Sequence, residues 1–500
     1  MLFTSLSLSS QEKGLDQRID EAFQPVSDFF GSVVFFEVAG YPFVILLLVG
    51  SAMFFTLYFG FPNIRHFWTS INVVRGKYDD LEKTSSDNKD GEVSHFQALA
   101  TAVSGTVGNG NIAGVALAIA LGGPGATFWM IVCGLLGMST KFVECTLGVY
   151  FRDVDKDGVV YGGPMYYISK GLESKGFKKL GAIAATFFAI FCVGGSFGGG
   201  NAAQSNQATI VLKDIFGYES TFAGAMIGII LAAVVGVIII GGIKRIASVT
   251  EKVVPFMALL YILACIYILT INISFVDDAI ALIIKEAFNP TAIGVGGIIG
   301  VLMVGFRRAA FSNEAGAGSA SIAHSAVKTK YAASEGLVAL LEPFIDTVII
   351  CTMTALVIIT FNSTGAFVYG GDGTGGVMID GVMYEGAGIT SQAFAQYIPY
   401  SDIFLTIAVV LFAVSTMISW SYYGLQSWKF LFGRGKVADM TYKILFLVFV
   451  IIGAAASMNS IWAFSDAMIF AMVFPNMVGL YFLFPIVKEQ LNKYLEAIKN

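Results

Sequence analysis

The sequence has few of the residues that build charged surfaces, metal sites or disulfides. Charged residues make up 13% of the 500 positions, whereas an ordinary globular domain carries about a quarter. There are three histidines and five cysteines, and the cysteines are too widely spaced for a zinc pattern. We therefore expect no metal-ligating cluster, no organic cofactor and no disulfide scaffold. The composition also excludes a nucleic-acid-binding protein, and the net charge of −5 indicates no particular partner.

Apolar surface is what the sequence has instead. Hydrophobic residues reach 56% and the mean hydropathy is +0.74, so a soluble chain could not cover its surface. Segments of about 20 apolar residues recur, each long enough to cross a bilayer. We predict an all-α polytopic membrane protein, embedded in lipid, with about eleven transmembrane helices. They are placed near 33–60, 96–120, 126–150, 180–212, 221–241, 253–275, 292–323, 337–361, 402–428, 441–457 and 462–487.

The distribution of lysine and arginine predicts the orientation. With eleven spans the two termini lie on opposite sides of the membrane. The loops on the side of the C-terminus hold 23 Lys and Arg residues, and the loops on the other side hold four. Because basic loops stay in the cytoplasm, we expect a cytoplasmic C-terminus and an extracellular N-terminus in a cell membrane. The first 30 or so residues lack the pattern of a signal peptide.

Two apolar segments are interrupted in their middle. The first interruption runs from Ser104 to Gly114 and the second from Phe311 to Ser319. Both are rich in glycine, which costs about 1 kcal/mol per residue inside a helix, and both contain asparagine. Unwound backbone at membrane depth is tolerated only against protein or a watery cavity. Close helix packing through Gly110-x-x-x-Gly114 is the alternative interpretation, although it does not require the asparagines.

The positions of the two breaks indicate an inverted repeat. If the first span is an addition, the breaks fall in helices one and six of a ten-helix core, as in transporters built from two five-helix repeats. This interpretation divides the chain into six parts. They are an extracellular segment at 1–32, the extra transmembrane helix at 33–60, a cytoplasmic loop at 61–95, the first repeat at 96–275, the second repeat at 292–487 and a cytoplasmic tail at 488–500.

The first break predicts a site for a small zwitterion and a cation. A half-helix that starts near Asn109–Asn111 offers free N–H groups and a positive dipole end to a carboxylate. The preceding half-helix ends in unpaired carbonyls near Ser104–Val107, which suit a small cation or an ammonium group. Small side chains around the break favour a small amino acid as the substrate.

Several long motifs follow one another in a fixed order along residues 95–485. They are Thr106-Val107-Gly108-Asn109-Gly110-Asn111-Ile112-Ala113-Gly114, Gly122-Gly123-Pro124-Gly125, Tyr161-Gly162-Gly163-Pro164-Met165-Tyr166-Tyr167, Phe311-Ser312-Asn313-Glu314-Ala315-Gly316 and Trp420-Ser421-Tyr422-Tyr423-Gly424. With these motifs the sequence resembles the alanine/glycine:cation (sodium:alanine) symporters of the amino acid–polyamine–organocation superfamily. The resemblance implies uptake of alanine or glycine coupled to Na⁺ or H⁺, without catalysis, by alternating access.

The resemblance also implies which residues bind the substrate. The N–H groups of Asn109 and Gly110 would hold the substrate carboxylate, and the other implied residues would bind the rest of the amino acid. The implied substrate-binding residues are Thr106, Gly108, Asn109, Gly110, Asn111, Gln204, Ser312, Asn313, Gly316 and Trp420. The family usually has Thr or Ser where this chain has Asn109, so substrate specificity would shift if that side chain faces the substrate.

An all-oxygen Na⁺ site is implied at the first break. Ser415 and Thr416 match two adjacent hydroxyls on core helix eight, and the carbonyls of Ser104, Val107 and Phe412 would complete the shell. H⁺ coupling remains the alternative, with Glu314 or Asp346 as the acid. An ion channel is a second alternative, since glycine-rich breaks also form ion filters. Arg307 and Arg308 are candidates for an outer gate, and Lys141 and Glu144 for a structural ion pair.

Overall fold

The computed structural model describes residues 15–82, 91–218, 221–290, 297–370, 373, 375–456 and 458–499. Residues 1–14 of the predicted extracellular segment, 83–90 of the predicted cytoplasmic loop and 292–296 of the seventh predicted span lie outside these ranges. Within the described ranges the chain is mostly helical, and its only β-structure consists of short hairpins and one isolated bridge.

The part of the chain before the first broken helix forms five helices and a hairpin. In chain order these are α1 (Leu15–Val34), β1 (Glu37–Val38), β2 (Tyr41–Pro42), α2 (Phe43–Tyr58), α3 (Pro62–Arg65), α4 (Phe67–Val74) and α5 (Asp79–Glu82). Helix α2 begins at Phe43, not at residue 33 as predicted, because the chain turns sharply at Ala39 and Gly40, both with positive φ. The apolar residues at 33–36 therefore precede this helix.

The first broken helix, which is interrupted between α6 and α7, and the elements after it extend to residue 288. The elements are α6 (His95–Thr106), a π-turn (Gly110–Gly114), α7 (Val115–Gly122), α8 (Gly125–Tyr150), β3 (Asp153–Val154), β4 (Val160–Tyr161), α9 (Pro164–Ser174), α10 (Lys178–Phe197), a π-turn (Gly198–Ala202), α11 (Ala203–Phe216), α12 (Thr221–Ile239), α13 (Gly242–Ile271) and α14 (Ile273–Phe288). Helix α6 starts with a capping box in which Ser94 and Gln97 satisfy each other's backbone N–H groups.

The elements of the second half of the described chain run from residue 297 to residue 497. They are α15 (Gly297–Asn313), α16 (Ala320–His324), α17 (Ala332–Ala339), α18 (Leu341–Pro343), a π-turn (Phe344–Cys351), α19 (Thr352–Phe361), a 3₁₀-turn (Asn362–Thr364), β5 (Val377–Ile379), β6 (Val382–Tyr384), α20 (Ala387–Ala395), α21 (Ser401–Phe432), α22 (Lys436–Ala455) and α23 (Met458–Ala497). The long loop predicted at 362–401 thus contains a hairpin and the helix α20.

Eight helical segments of the described chain are long and apolar enough to cross a membrane, or nine if the bent pair α6–α7 is one span. The two halves of that pair meet at 54°. Helix α2 has 16 residues, fewer than a full span needs. The described chain is therefore a multi-pass helical membrane protein.

The bundle has two distinct ends. The end that holds the predicted basic loops, at 61–95, 151–179, 242–252, 324–336 and 429–443, is called the basic end below. The other end carries α14, the β5–β6 hairpin and α20. Both breaks lie among buried residues between the two ends, and the largest apolar cluster surrounds them.

Candidate functional site

A small cavity lies between the two breaks. Its volume is about 10 Å³, roughly what one water molecule needs, and its polar wall residues are almost fully buried. The cavity is lined by Gly105, Thr106, Gly108, Gly110, Gly199, Gln204, Phe311, Ser312, Glu314, Thr416, Trp420 and Ile469. The wall thus comes from both breaks, from α11 and the π-turn before it, and from α21 and α23.

The first break is held open by the side chain of Asn111. Val107 leaves the helical conformation with ψ 95°, and the Oδ1 atom of Asn111 accepts a 2.8 Å hydrogen bond from the Gly108 N–H. The amide nitrogen of Asn111 donates to Oδ1 of Asp346 at 2.6 Å. This side chain replaces the helical partner that Gly108 has lost, so its role in the structure is to position the break.

Asp346 ties the first break to the second. Besides Asn111, its carboxylate accepts hydrogen bonds from the hydroxyls of Ser312 at 2.9 Å and Thr347 at 2.7 Å. Thr347 in turn accepts one from the Asn313 amide at 2.9 Å. A buried carboxylate with several donors can stay in the interior at a tolerable cost, and it couples the elements that supply the donors.

The second break is made by residues with left-handed backbone. Glu314 has φ 54°, and Gly316 and Gly318 have φ 97° and 88°. The Glu314 carboxylate accepts a hydrogen bond of 3.1 Å from Nε1 of Trp420 and another from the hydroxyl of Ser319. The acidic side chain of Glu314 therefore forms part of the cavity wall, next to the indole of Trp420.

Gln204 and Asn109 lie on the side of the cavity nearest α11. The Oε1 atom of Gln204 is 3.3 Å from the Asn109 N–H, and its amide nitrogen donates to the Gly199 carbonyl at 2.9 Å. The side-chain amide of Asn109 is buried, and neither of its polar atoms has a hydrogen-bond partner among the described residues. Such a group leaves its desolvation cost uncompensated.

Two pairs of the predicted ion-binding residues are in contact where the end of α6 meets the middle of α21. The Thr416 hydroxyl lies 3.5 Å from the Val107 carbonyl, and the Ser104 hydroxyl donates to the Ser415 carbonyl at 2.7 Å. The Ser415 hydroxyl is 3.0 Å from the Phe412 carbonyl of its own helix. Among the described residues, no group of three or more His, Cys, Asp or Glu side chains could hold a metal ion.

The structure divides the predicted substrate residues into two sets. Thr106, Gly108, Gly110, Gln204, Ser312 and Trp420 line the cavity. Asn109, Asn111, Asn313 and Gly316 do not. Asn313 turns to Thr347, and Gly316 lies against Leu48 and Met477 while its carbonyl accepts from Asn476. Gly105 and Phe311 also line the cavity; they lie in the two predicted interruptions but were not assigned to the substrate. Sequence reasoning missed Gly199 and Ile469, and of these only Gly199 had a signal, the Gly-Gly-Gly run at 198–200.

Charged residues inside the helices are paired. Lys141 bonds to Glu342 at 2.9 Å and not to Glu144, which accepts a hydrogen bond from Asn476. On the opposite side of the cavity from the basic end, Arg307 and Arg308 both reach Oδ2 of Asp466 at 2.8 Å. These contacts satisfy the expectation that ionisable groups at membrane depth have partners.

The sequence matches a known family over most of its length. The model of the sodium:alanine symporter family matches residues 27–500. The sodium/alanine symporter AgcS of Methanococcus maripaludis is 39% identical over 92% of this chain and 95% of its own length. The probable sodium/glutamine symporter GlnT of Bacillus subtilis is 33% identical over 91% of this chain and 88% of its own.

A solved structure supports the fold. The manganese transporter of Eremococcus coleocola superposes with a TM-score of 0.50 at 13% identity, and covers 80% of this chain and 83% of its own. At that identity the likeness concerns the fold alone. The family match extends across both breaks and every element that lines the cavity. The chain therefore belongs to the sodium:alanine symporter family and is a membrane transporter, not an enzyme.

Proposed function

We propose that the protein is a secondary active symporter that takes up small neutral amino acids, alanine or glycine, together with Na⁺. The observation that carries this proposal is the cavity, which is walled by both broken helices and has Gln204 and Trp420 at its sides. Transporters of inverted-repeat design bind their substrate at such a midplane junction.

The substrate carboxylate would lie against the first break. The half-helix that begins at Gly110, a residue of the cavity wall, would offer its positive dipole end to an anion. The ammonium group would then face the second break, near Ser312. The indole of Trp420 closes the remaining space, which supports a small side chain on the substrate.

The Na⁺ ion would lie at the contact between α6 and α21. Carbonyl oxygens at the end of a half-helix, together with hydroxyl oxygens, are suitable ligands for a hard cation. A cation between Val107 and Thr416 would hold the first break against α21. Because the same break forms the substrate site, binding of the ion and binding of the substrate would strengthen each other.

We further propose that ten core helices form two inverted five-helix repeats, with α2 as an eleventh helix ahead of them. The basic end then faces the cytoplasm, as the distribution of lysine and arginine predicts. The names of the relatives support sodium as the ion and a neutral amino acid as the substrate, since one is a sodium/alanine and one a probable sodium/glutamine symporter.

Uptake of radiolabelled alanine into proteoliposomes tests the proposal. We expect saturable, concentrative uptake with an inward Na⁺ gradient and none with a proton gradient alone. Ser415→Ala should abolish the Na⁺ dependence. Ser421→Ala is the matched control, because both hydroxyls bond to a carbonyl three residues earlier in α21. Non-saturable flux that never exceeds equilibrium would indicate a channel instead.

Proton coupling is the second candidate, and one observation favours it. Glu314 lines the cavity and is the acidic side chain nearest the indole of Trp420. If a proton gradient alone drives uptake, the Na⁺ site is wrong and Glu314→Gln should abolish that uptake. Asp346 is the next acid to test, although the three hydrogen bonds that its carboxylate accepts indicate a positioning role.

A further inference from the structure

A histidine at the basic end stands between two carboxylates. His95 is the first residue of α6, and its Nε2 atom is 2.8 Å from Oε2 of Glu82 at the end of α5. Its Nδ1 atom is within hydrogen-bond distance of Oε2 of Glu335 in α17. All three side chains are buried. These three residues are called the His95 cluster below.

The hydrogen bonds of the cluster determine its proton count. Glu82 also accepts from the hydroxyls of Tyr494 at 2.9 Å and Thr329 at 2.6 Å. The second oxygen of Glu335 faces Nδ1 of His324 at 2.5 Å. Carboxylates surrounded by donors are ionised and can only accept, so both ring nitrogens of His95 must donate. The cluster therefore holds one proton more than a neutral imidazole carries.

The same cluster fastens the first half of the broken helix. If the cavity opens towards the basic end, α6 must move away from α5 and α17, and His95 must leave both carboxylates. Other contacts at this end also hold the start of α6 and the residues before it. The Lys328 N–H donates to the Val93 carbonyl at 2.8 Å, and Gln97 bonds to Glu251 on α13 at 2.9 Å. Of these contacts, the His95 cluster is the one that pairs a cation with carboxylates.

Water reaches the cluster at the basic end. A surface pocket of about 430 Å³ at that end is lined by His95 and Glu82. Among the described residues, the other charged groups that face this pocket are Arg75, Asp79 and Lys328. Behind Glu335, the row of charged groups continues through His324 and Glu342 to Lys141. The proton on His95 therefore exchanges with the basic end both before and after the gate opens.

We propose that the His95 cluster is a proton-binding latch, which holds the gate at the basic end closed while His95 is doubly protonated. This inference rests on the proposed alternating access. Opening separates the imidazole from both carboxylates, and a free imidazole gives up its second proton near pH 6.5. Above that pH, opening of the gate releases one proton. Each further pH unit therefore raises the ratio of open to closed protein by up to tenfold. Acid on that side slows transport, and the proton is not carried across.

Alanine uptake with the pH varied on one side at a time tests the latch. In uniformly oriented proteoliposomes with a Na⁺ gradient, we expect the rate to rise severalfold between pH 6.5 and 8 at the basic end. The pH at the opposite end should have no such effect. His95→Gln should remove the dependence, and Glu82→Gln should weaken it. His66→Gln is the matched control, because His66 lies in the loop before α4 at the same end and outside the cluster.

Labelling of an introduced cysteine reports the gate without any transport. Thr101 is buried on α6 against Thr250 of α13, so the thiol of Thr101→Cys should react with an impermeant reagent only after α6 moves. Any accessible thiol reacts faster at higher pH, because the thiolate is the reactive form. The labelling rate is therefore divided, at each pH, by the rate of the variant that also carries His95→Gln, and labelling is compared below as this ratio. The ratio should be low in acid and approach one as the pH at the basic end rises.

The outcomes separate the latch from the proposed function. Absence of alanine uptake together with pH-dependent labelling would overturn the substrate assignment and leave the latch standing. Uptake with pH-independent labelling would overturn the latch. Persistence of the pH dependence in His95→Gln would also overturn it. So would acidification of the vesicle interior in step with alanine entry, because the proton would then be a transported ion.

Discussion

The indole of Trp420 is held by the second break, because its Nε1 atom donates a 3.1 Å hydrogen bond to Oε1 of Glu314. Trp420 belongs to α21 and Glu314 to the unwound stretch after α15. The close packing of Gly200 fixes the ring from the other side, since a β-carbon there would come within 2.2 Å of the indole. Movement of the second break is thereby coupled to the residue that closes the cavity.

Trp420→Phe should weaken transport while leaving the size preference intact. The phenyl ring still fills the space, but Glu314 loses a donor. A hydrogen bond to a charged group contributes about 1.5–3 kcal/mol, which corresponds to at least a tenfold change. We expect the KM for alanine to rise by about that factor. Trp428→Phe is the matched control on the same helix, because its Nε1 has no hydrogen-bond partner in the part of the chain that the structure describes, so the KM should stay unchanged.

Gly108→Ala should abolish Na⁺-coupled uptake. A β-carbon at Gly108 would lie 2.6 Å from the Thr416 hydroxyl and 3.2 Å from Oε1 of Gln204, so it would separate α6 from α21. Gly114→Ala is the control, because nothing lies within 4 Å of its β-carbon position. Initial uptake rates at saturating Na⁺ should fall to background in the first variant and stay near wild type in the second. Full activity of Gly108→Ala would contradict the assigned contact.

The sequence was sufficient to locate both breaks, because glycine and asparagine clusters are costly in a helix and stand out in apolar segments. It was insufficient to place helix ends that carry charge. Helix α13 begins at Gly242, not near 253, because its first turns include Lys244, Arg245 and Glu251 and extend beyond the apolar core. Hydropathy registers only the apolar part of such a helix.

Helix α14 was missed for a related reason. Its buried residues Ala279, Ile283 and Ala287 recur every four positions, which is a helical pattern, but the segment also carries Asp277 and Asp278 and is not a membrane span. Contacts between distant segments had no signal at all. Nothing in the sequence indicates that Asn111 would bond to Asp346, 235 positions later, and would not face the cavity.

Asp346→Asn should impair substrate binding through the position of the first break. The variant keeps the shape of the side chain, but it removes the charge that receives hydrogen bonds from Asn111 and Ser312. We expect the KM for alanine to rise at least tenfold, since each hydrogen bond to a charge contributes about 1.5–3 kcal/mol. Asp277→Asn, at an exposed site on α14, is the control. A change in maximal rate alone would contradict a positioning role.

Asp466→Ala should destabilise the protein far more than Arg307→Gln. Asp466 is the shared partner of both arginines, and the side chain of Arg308 is only 7% exposed, so removing the carboxylate leaves a buried charge without its partner. Breaking a buried pair in this way costs about 3–5 kcal/mol. Arg307 is 39% exposed and also lies over the ring of Phe35. Its pair contributes less than about 1 kcal/mol, because water screens an exposed ion pair. Unfolding midpoints of the purified variants in detergent provide the comparison, and equal losses for the two would show that Arg308 does not depend on Asp466.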